Sequence, residues 1–221
     1  MLNLNKIDCC FLTTENSKKS YQGLSSTYSA IEPPTWSLLL AESARSCGYK
    51  VKILDASAEK LNEEEIFKRI EEMAPKILCL TVYGQNVNAG TANMSGAIHI
   101  SKFLKKKNIK IPICIIGSHV QALPIETLTK ETSIDFVFTN EGVYALRNIL
   151  KLKDFSPKSL SVVKGIAYRD GNSVKMTPPE QVVPTENMDK DLPGYAWDLL
   201  PFKEKPFDLY RAPMWHAEYD F

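Results

Sequence analysis

The chain has 221 residues, 44% of them apolar, enough for one domain of ordinary size with a real core plus an appendage; this excludes a mainly disordered protein. Lys+Arg of 27 against Asp+Glu of 26 leaves a net charge of +1. The basic residues are scattered apart from Lys105-Lys106-Lys107, so the pattern fits a solvated helix end and not a nucleic-acid footprint.

In chain order, Lys6 to Leu12 is a short, mostly apolar run that reads as a buried first strand. Thr13 to Ala30, rich in Ser, Thr, Asn and Tyr, is a long connection of the kind that carries function or moves. Pro33-Pro34 stops it, and Thr35 is placed to cap a helix whose apolar positions Trp36, Leu39, Leu40, Ala44 and Cys47 keep helical spacing up to Gly48. Lys50 to Ala56 reads as the second strand, ending in Asp55. Asn62 with Glu65 three residues on has the pattern of a capping box, and Ile66, Phe67, Ile70 and Met73 form the inner stripe of a helix closed by Pro75. Ile77 to Val82 is the third strand; it exits through the polar run Tyr83-Gly84-Gln85-Asn86-Val87-Asn88 into a helix with Met94, Ala97, Ile98, Ser101 and Leu104 on one face.

Ile113 to Ile116 and Phe136 to Phe138 repeat the pattern. Each ends in small or polar residues, Gly117-Ser118-His119 and Asn140-Glu141-Gly142, before a helical stretch. A βα unit repeated about five times predicts an α/β fold: a Rossmann-like (flavodoxin-like), doubly wound parallel sheet ordered 2-1-3-4-5 with right-handed crossovers. After Leu150 the rhythm changes. Arg169-Asp170-Gly171-Asn172 between Gly165–Tyr168 and Ser173–Met176 signals a hairpin, and from Thr177 the chain is rich in Pro and aromatics, an irregular arm that packs on something else. The expected division is therefore 1–150 for the sheet domain, 151–191 for hairpin and linker, and 192–221 for the aromatic arm.

Cys9 and Cys10 lie adjacent near the start, and Cys47, Cys79 and Cys114 lie far apart inside apolar runs, where a free Cys behaves as a small hydrophobe; the five show no CxxC or CxxxCxxC spacing. A structural zinc site or an iron-sulfur cluster made by this chain alone is not expected, and the odd count fits a reducing compartment. With no leader pattern and no apolar run of membrane-spanning length, the expected location is cytoplasmic and no membrane partner is expected.

The corners at the carboxyl ends of the strands are where an open α/β sheet binds ligands. Gly84, Gly117 and Gly142 suit close backbone approach, while Thr81, Gln85, Asn86, Asn88, Ser118, His119, Thr139 and Asn140 supply hydrogen-bonding groups. Such residues also follow strands in doubly wound folds of every function. Glu141 has two readings, a ligand-binding acid or a helix-capping carboxylate. His119 follows Gly117-Ser118 at a strand end; His99 lies between Ile98 and Ile100 in a helix, and His216 lies in the arm. No acid–base pair or nucleophilic triad can be assigned.

Several of these stretches together resemble the cobalamin-binding domain of cobalamin-dependent radical S-adenosylmethionine enzymes. They are Glu32-Pro33-Pro34, Gly48 to Ala56 (GYKVKILDA), Ile116 to His119, Ile134 to Val137, Asn140-Glu141-Gly142, Gly165 to Gly171 and Leu192 to Leu200 (LPGYAWDLL), in the family's order. The resemblance implies cobalamin as cofactor, with Thr13, Thr14, Thr81, Tyr83, Gly84, Gln85, Asn86, Asn88, Gly117, Ser118, His119, Thr139, Asn140, Glu141 and Gly142 as candidate contacts. This chain departs from the family by having Ile116-Gly117-Ser118-His119 for Gly-Gly-Pro-His and Asn140-Glu141-Gly142-Val143 for Gly-Glu-Gly-Glu. Cobalamin domains of the mutase type place an Asp-x-His-x-x-Gly loop after the first strand; here that place holds Thr13-Thr14-Glu15-Asn16, so no protein histidine is expected on cobalt. The family's radical barrel, with its cluster cysteines, does not follow within these 221 residues. An iron-sulfur cluster and S-adenosylmethionine are expected only if a further domain or subunit, met through the aromatic arm, supplies their site. The alternative from the residues alone is a degenerate Rossmann-like interaction or scaffold module with no cofactor.

Overall fold

The computed structural model of the chain describes residues 6–14, 31–83, 87–203 and 209–210. Strands β1 (Cys9–Thr13), β2 (Val51–Asp55), β3 (Ile77–Val82), β4 (Ile113–Gly117), β5 (Phe136–Phe138), β6 (Ile166–Asp170) and β7 (Ser173–Met176) form one sheet in the order β2-β1-β3-β4-β5-β6-β7. The first five are parallel, in the order the βα rhythm predicts; β6 and β7 are antiparallel. The predicted hairpin does not stand apart from this sheet but extends it, with Val137 opposite Ala167.

Alternation within each parallel strand serves two cores at once, which is why these strands read as continuous apolar runs. Cys9 and Phe11 of β1 join one core, Cys10 and Leu12 the other. The first core is covered by helices α1 (Thr35–Ser46) and α6 (Val143–Leu150) and by the short α7 (Pro157–Leu160). The second lies under α2 (Glu63–Met73), α3 (Val87–Lys106), α4 (Ser118–Ala122) and α5 (Pro124–Lys130). Helices thus lie on both faces.

Local signals account for some helix ends. Asn62 accepts from the backbone N–H of Glu64 and Glu65, and Glu65 accepts from the Asn62 N–H, completing the expected capping box of α2. Two expectations are corrected. Thr35 is not a cap: α1 begins on it, Pro34 holds the N-cap position, and no side chain caps the helix. Its inner face is Ser37, Leu38, Leu40, Ala41, Ser43 and Ala44, with Trp36 and Leu39 half-buried, because the face is rotated to admit hydroxyls beside the sheet. Cys47 is exposed at the end of α1, whereas Cys9, Cys10, Cys79 and Cys114 are buried. After β4 the helical stretch splits at Leu123, since Pro124 disfavours helical backbone in the residue before it.

Beyond β7 the chain packs on its own domain in part. Ala196 and Leu200 are buried in the first core. Asp191, at the end of α8 (Met188–Asp191), accepts from Tyr144 Oη at 2.6 Å and Arg147 Nη1 at 2.6 Å, while Arg147 Nη2 also reaches the Ser43 carbonyl at 3.3 Å. One guanidinium therefore ties α6, α1 and the arm together. Both donors hold the Asp191 carboxyl below its ordinary range, Tyr144 foremost and Arg147 next. Tyr195, Trp197 and Phe202 stay largely exposed on the outer side. Most of the remaining arm aromatics, Phe207, Trp215, Tyr219 and Phe221, together with His216, lie outside the described residues.

Candidate functional site

The carboxyl ends of β1 to β5 bring the candidate residues to one edge. Thr13 ends β1 opposite Asp55 of β2, and Val82 of β3 lies opposite Gly117 of β4. On the α1 side, Ser37 and Thr81 share a hydrogen bond of 2.5 Å between hydroxyls. Above them Trp36 and Tyr83 pack with ring centroids 5.4 Å apart, and the Trp36 indole donates to the Glu141 carbonyl at 3.1 Å. Gln121 Nε2 donates to Tyr83 Oη at 2.8 Å and to the Asn140 carbonyl at 2.7 Å, linking β3 to β5 across the end of β4. Burial raises the Tyr83 phenol, with the Gln121 contact opposing, so it stays protonated.

The hydroxyls of Thr13 and Ser118 are buried with no hydrogen-bond partner among the described residues. A buried hydroxyl left unpaired costs about 1–3 kcal/mol, so each marks a place where a ligand group or water can be accepted. Gly90 of α3 makes room for the second, since a Cβ there would come within 2.3 Å of Ser118 Oγ. His119 is half-buried and faces Thr91 of α3, with Nδ1 3.4 Å from its hydroxyl. His99 pairs with Glu63 on the surface. Thr14 and Thr139 are half-buried at the same edge. Gly84, Gln85 and Asn86, and the side chain of Asn88, lie outside the described residues.

At two corners the protein's own packing requires glycine. A Cβ on Gly117 would lie 2.1 Å from the Val82 carbonyl oxygen, and one on Gly142 would lie 2.3 Å from Ile116 Cδ1. The space is filled by the protein itself. The Glu141 carboxylate accepts the Val183 N–H at 2.5 Å, and so fastens the arm. Asn140 likewise accepts the Gly142 N–H and donates to the Glu180 carbonyl.

Sequence reasoning missed Ser37, Trp36, Gln121 and Tyr210 as residues of this edge. Ser37 sits where a helix core is ordinarily apolar, and a polar residue on a buried stripe was the available signal. Tyr210 reaches back to Asp55 over 155 positions, for which a linear pattern offers none. Asp55 is buried, and its carboxyl is pushed up to about 6 by desolvation first, with the Ala58 N–H and Tyr210 hydroxyl opposing and Glu59 adding. Among the described residues no group of three or more His, Cys, Asp or Glu is placed to hold a metal ion, and no helix is long and apolar enough to cross a membrane.

A parallel sheet wrapped on both faces, with polar groups gathered at its carboxyl edge, defines a Rossmann-like ligand-binding domain. The family model of the B12 binding domain matches residues 21–150, and the chain belongs to that family. An uncharacterized methyltransferase of Pyrococcus horikoshii is 28% identical over 180 residues, covering 81% of this chain and 36% of its own length. Among solved structures, the cobalamin-dependent S-adenosylmethionine radical enzyme OxsB, with aqua-cobalamin and S-adenosylmethionine bound, superposes with a TM-score of 0.63 at 19% identity. That match covers 87% of this chain and 24% of OxsB. The radical S-adenosylmethionine methyltransferase TsrM of Kitasatospora setae, with cobalamin and a [4Fe-4S] cluster bound, gives 0.58 at 12% identity, covering 81% of this chain and 30% of TsrM. At such identities these structures share the fold, and the chain spans a quarter to about a third of the length of these relatives.

Proposed function

We propose that the chain is a cobalamin-binding module that belongs to, or works with, a radical S-adenosylmethionine enzyme, with no histidine of its own on cobalt. The observation that carries this reading is the family match over residues 21–150, the segment that builds the carboxyl edge of β2 to β5. Bound cobalamin supplies a cobalt centre that carries a methyl group or assists a radical reaction. In this reading the unpaired hydroxyls of Thr13 and Ser118 accept or donate to the amide fringe of the corrin. Trp36 and Tyr83 form an apolar wall that excludes water, while Thr14, Thr81, His119 and Thr139 complete the rim; Gly84, Gln85, Asn86 and Asn88 are candidate contacts by their place after β3 in the sequence. Asn140, Glu141, Gly117 and Gly142 shape the edge from behind, through the contacts already described.

In the same reading the chain is inert in radical chemistry by itself. Burial raises the thiols of Cys9 and Cys114 and pushes Cys10 up to about 12, which keeps them protonated and poor metal ligands. A cluster and S-adenosylmethionine would be held by a further domain or subunit meeting the exposed Tyr195, Trp197 and Phe202. Residues 1–150 are then the binding unit, 151–191 the hairpin and linker, and 192–221 the approach to that partner. Free thiols suit a cytoplasmic setting.

Reconstitution with hydroxocobalamin, gel filtration and a visible spectrum test the reading. Corrin should co-elute with the protein, and Ser118→Ala or Thr13→Val should lower retention about 2- to 10-fold, the range of one hydrogen bond. Reconstitution with iron and sulfide should give no 5'-deoxyadenosine. Folded protein that retains no corrin would favour a second reading, an interaction module with an emptied site. One observation already leans that way: Gln121, Asn140 and Glu141 are engaged by the protein's own groups.

A further inference from the structure

The segment after β7 retraces the edge of the sheet from β5 to β2. At β5, the Glu180 carbonyl accepts from Asn140 and the Val183 N–H donates to Glu141. At the first turn of α1, the Ala196 N–H donates to the Leu38 carbonyl at 3.3 Å. At β2, Tyr210 Oη donates to Asp55 Oδ2 at 2.9 Å. Asp55 is 1% exposed, and its loop engages Oδ1 through the Ala58 N–H at 3.1 Å. The second oxygen is met from the far end of the chain, in a place where an unmet carboxylate oxygen would be costly. Glu59, the nearby acid, is tied to Arg69. Burial beside Asp55 raises the Tyr210 phenol, so it remains a donor at every physiological pH. Thr13, whose buried hydroxyl is unpaired, is the register partner of Asp55. The contact therefore sits at the rim of the candidate crevice.

We propose that Asp55 and Tyr210 form a latch that fastens the C-terminal segment at the β1–β2 end of the crevice, so that ligand held there exchanges only when the latch opens. The latch stands on its own geometry; its effect on exchange rests on the cobalamin reading. A phenol donating to a buried carboxylate is a charge-assisted hydrogen bond, and losing it should raise the open population roughly tenfold.

The test uses the full chain. Lys203 and Arg211 bracket Tyr210 and are trypsin sites. At pH 7.5, Tyr210→Phe should be cut at these sites roughly tenfold faster than wild type, and Asp55→Asn, which keeps an acceptor but no charge, should fall between. Tyr195→Phe, at an exposed arm residue, should match wild type. Equal cleavage of wild type and Tyr210→Phe, with both folded by circular dichroism, overturns the latch. With hydroxocobalamin as probe, release of retained corrin should quicken in the same ratio; faster cleavage with unchanged release overturns the link to exchange. A wild type that retains no corrin overturns the cofactor reading and the exchange effect, and the trypsin comparison alone then decides the latch.

Discussion

Replacing Gly142 by Ala tests whether the β5–α6 corner is built by packing within the protein. Gly142 has φ +83°, a left-handed backbone that costs an L-residue about 1–2 kcal/mol. The new Cβ would also lie 2.3 Å from Ile116 Cδ1, forcing that side chain off its rotamer, a strain of about 1–3 kcal/mol. Gly142→Ala should therefore destabilise by about 2–5 kcal/mol in urea unfolding with unchanged slope. Ile116→Val deletes the offending methyl and should by itself cost about 0.5–1.5 kcal/mol. In that background Gly142→Ala should cost only the backbone part, leaving a coupling of about 1–3 kcal/mol. Additive single and double variants would refute the contact, and a coupling accompanied by loss of corrin retention only in Gly142→Ala would tie the corner to the site.

Other expectations follow from particular contacts. Asn62→Ala should cost about 1 kcal/mol of stability, because both halves of the capping box at the start of α2 are lost, and urea midpoints will read it. Asp55 is raised from 3.8 to about 6, so its contribution to stability is full below pH 4 and is lost as pH rises through 6. The change is on the order of 3 kcal/mol, and Asp55→Asn should flatten the stability profile between about pH 4 and 6; a profile identical to wild type would contradict burial of the charge. Asp191→Ala leaves Arg147 without its carboxylate and should cost about 2 kcal/mol, less than a fully buried pair because both side chains keep slight exposure. Limited proteolysis of that variant should open the arm near α8 first.

What the sequence determined alone was carried by local rules. Continuous apolar runs such as Ile77–Val82 and Ile113–Ile116 need cover on both faces, and alternation with helical stripes leaves a doubly wound parallel sheet as the economical arrangement. The Asn62–Glu65 box and the Asp170-Gly171 hairpin are complete within a few residues, so they were legible before any tertiary contact. The rotation of α1 was not, because a rotation of about 100° decides whether Ser37 or Trp36 faces the sheet, and the Thr81 hydroxyl that favours Ser37 belongs to another element. The contacts of Glu141, Asn140 and Gly117 are likewise made with Val183, Glu180 and Val82, atoms that only folding brings near. Periodicity places a residue on an element and at a strand end. Its partners are set by which elements pack against that end, and Tyr210 reaching Asp55 across 155 positions is a contact that only the closed chain can make.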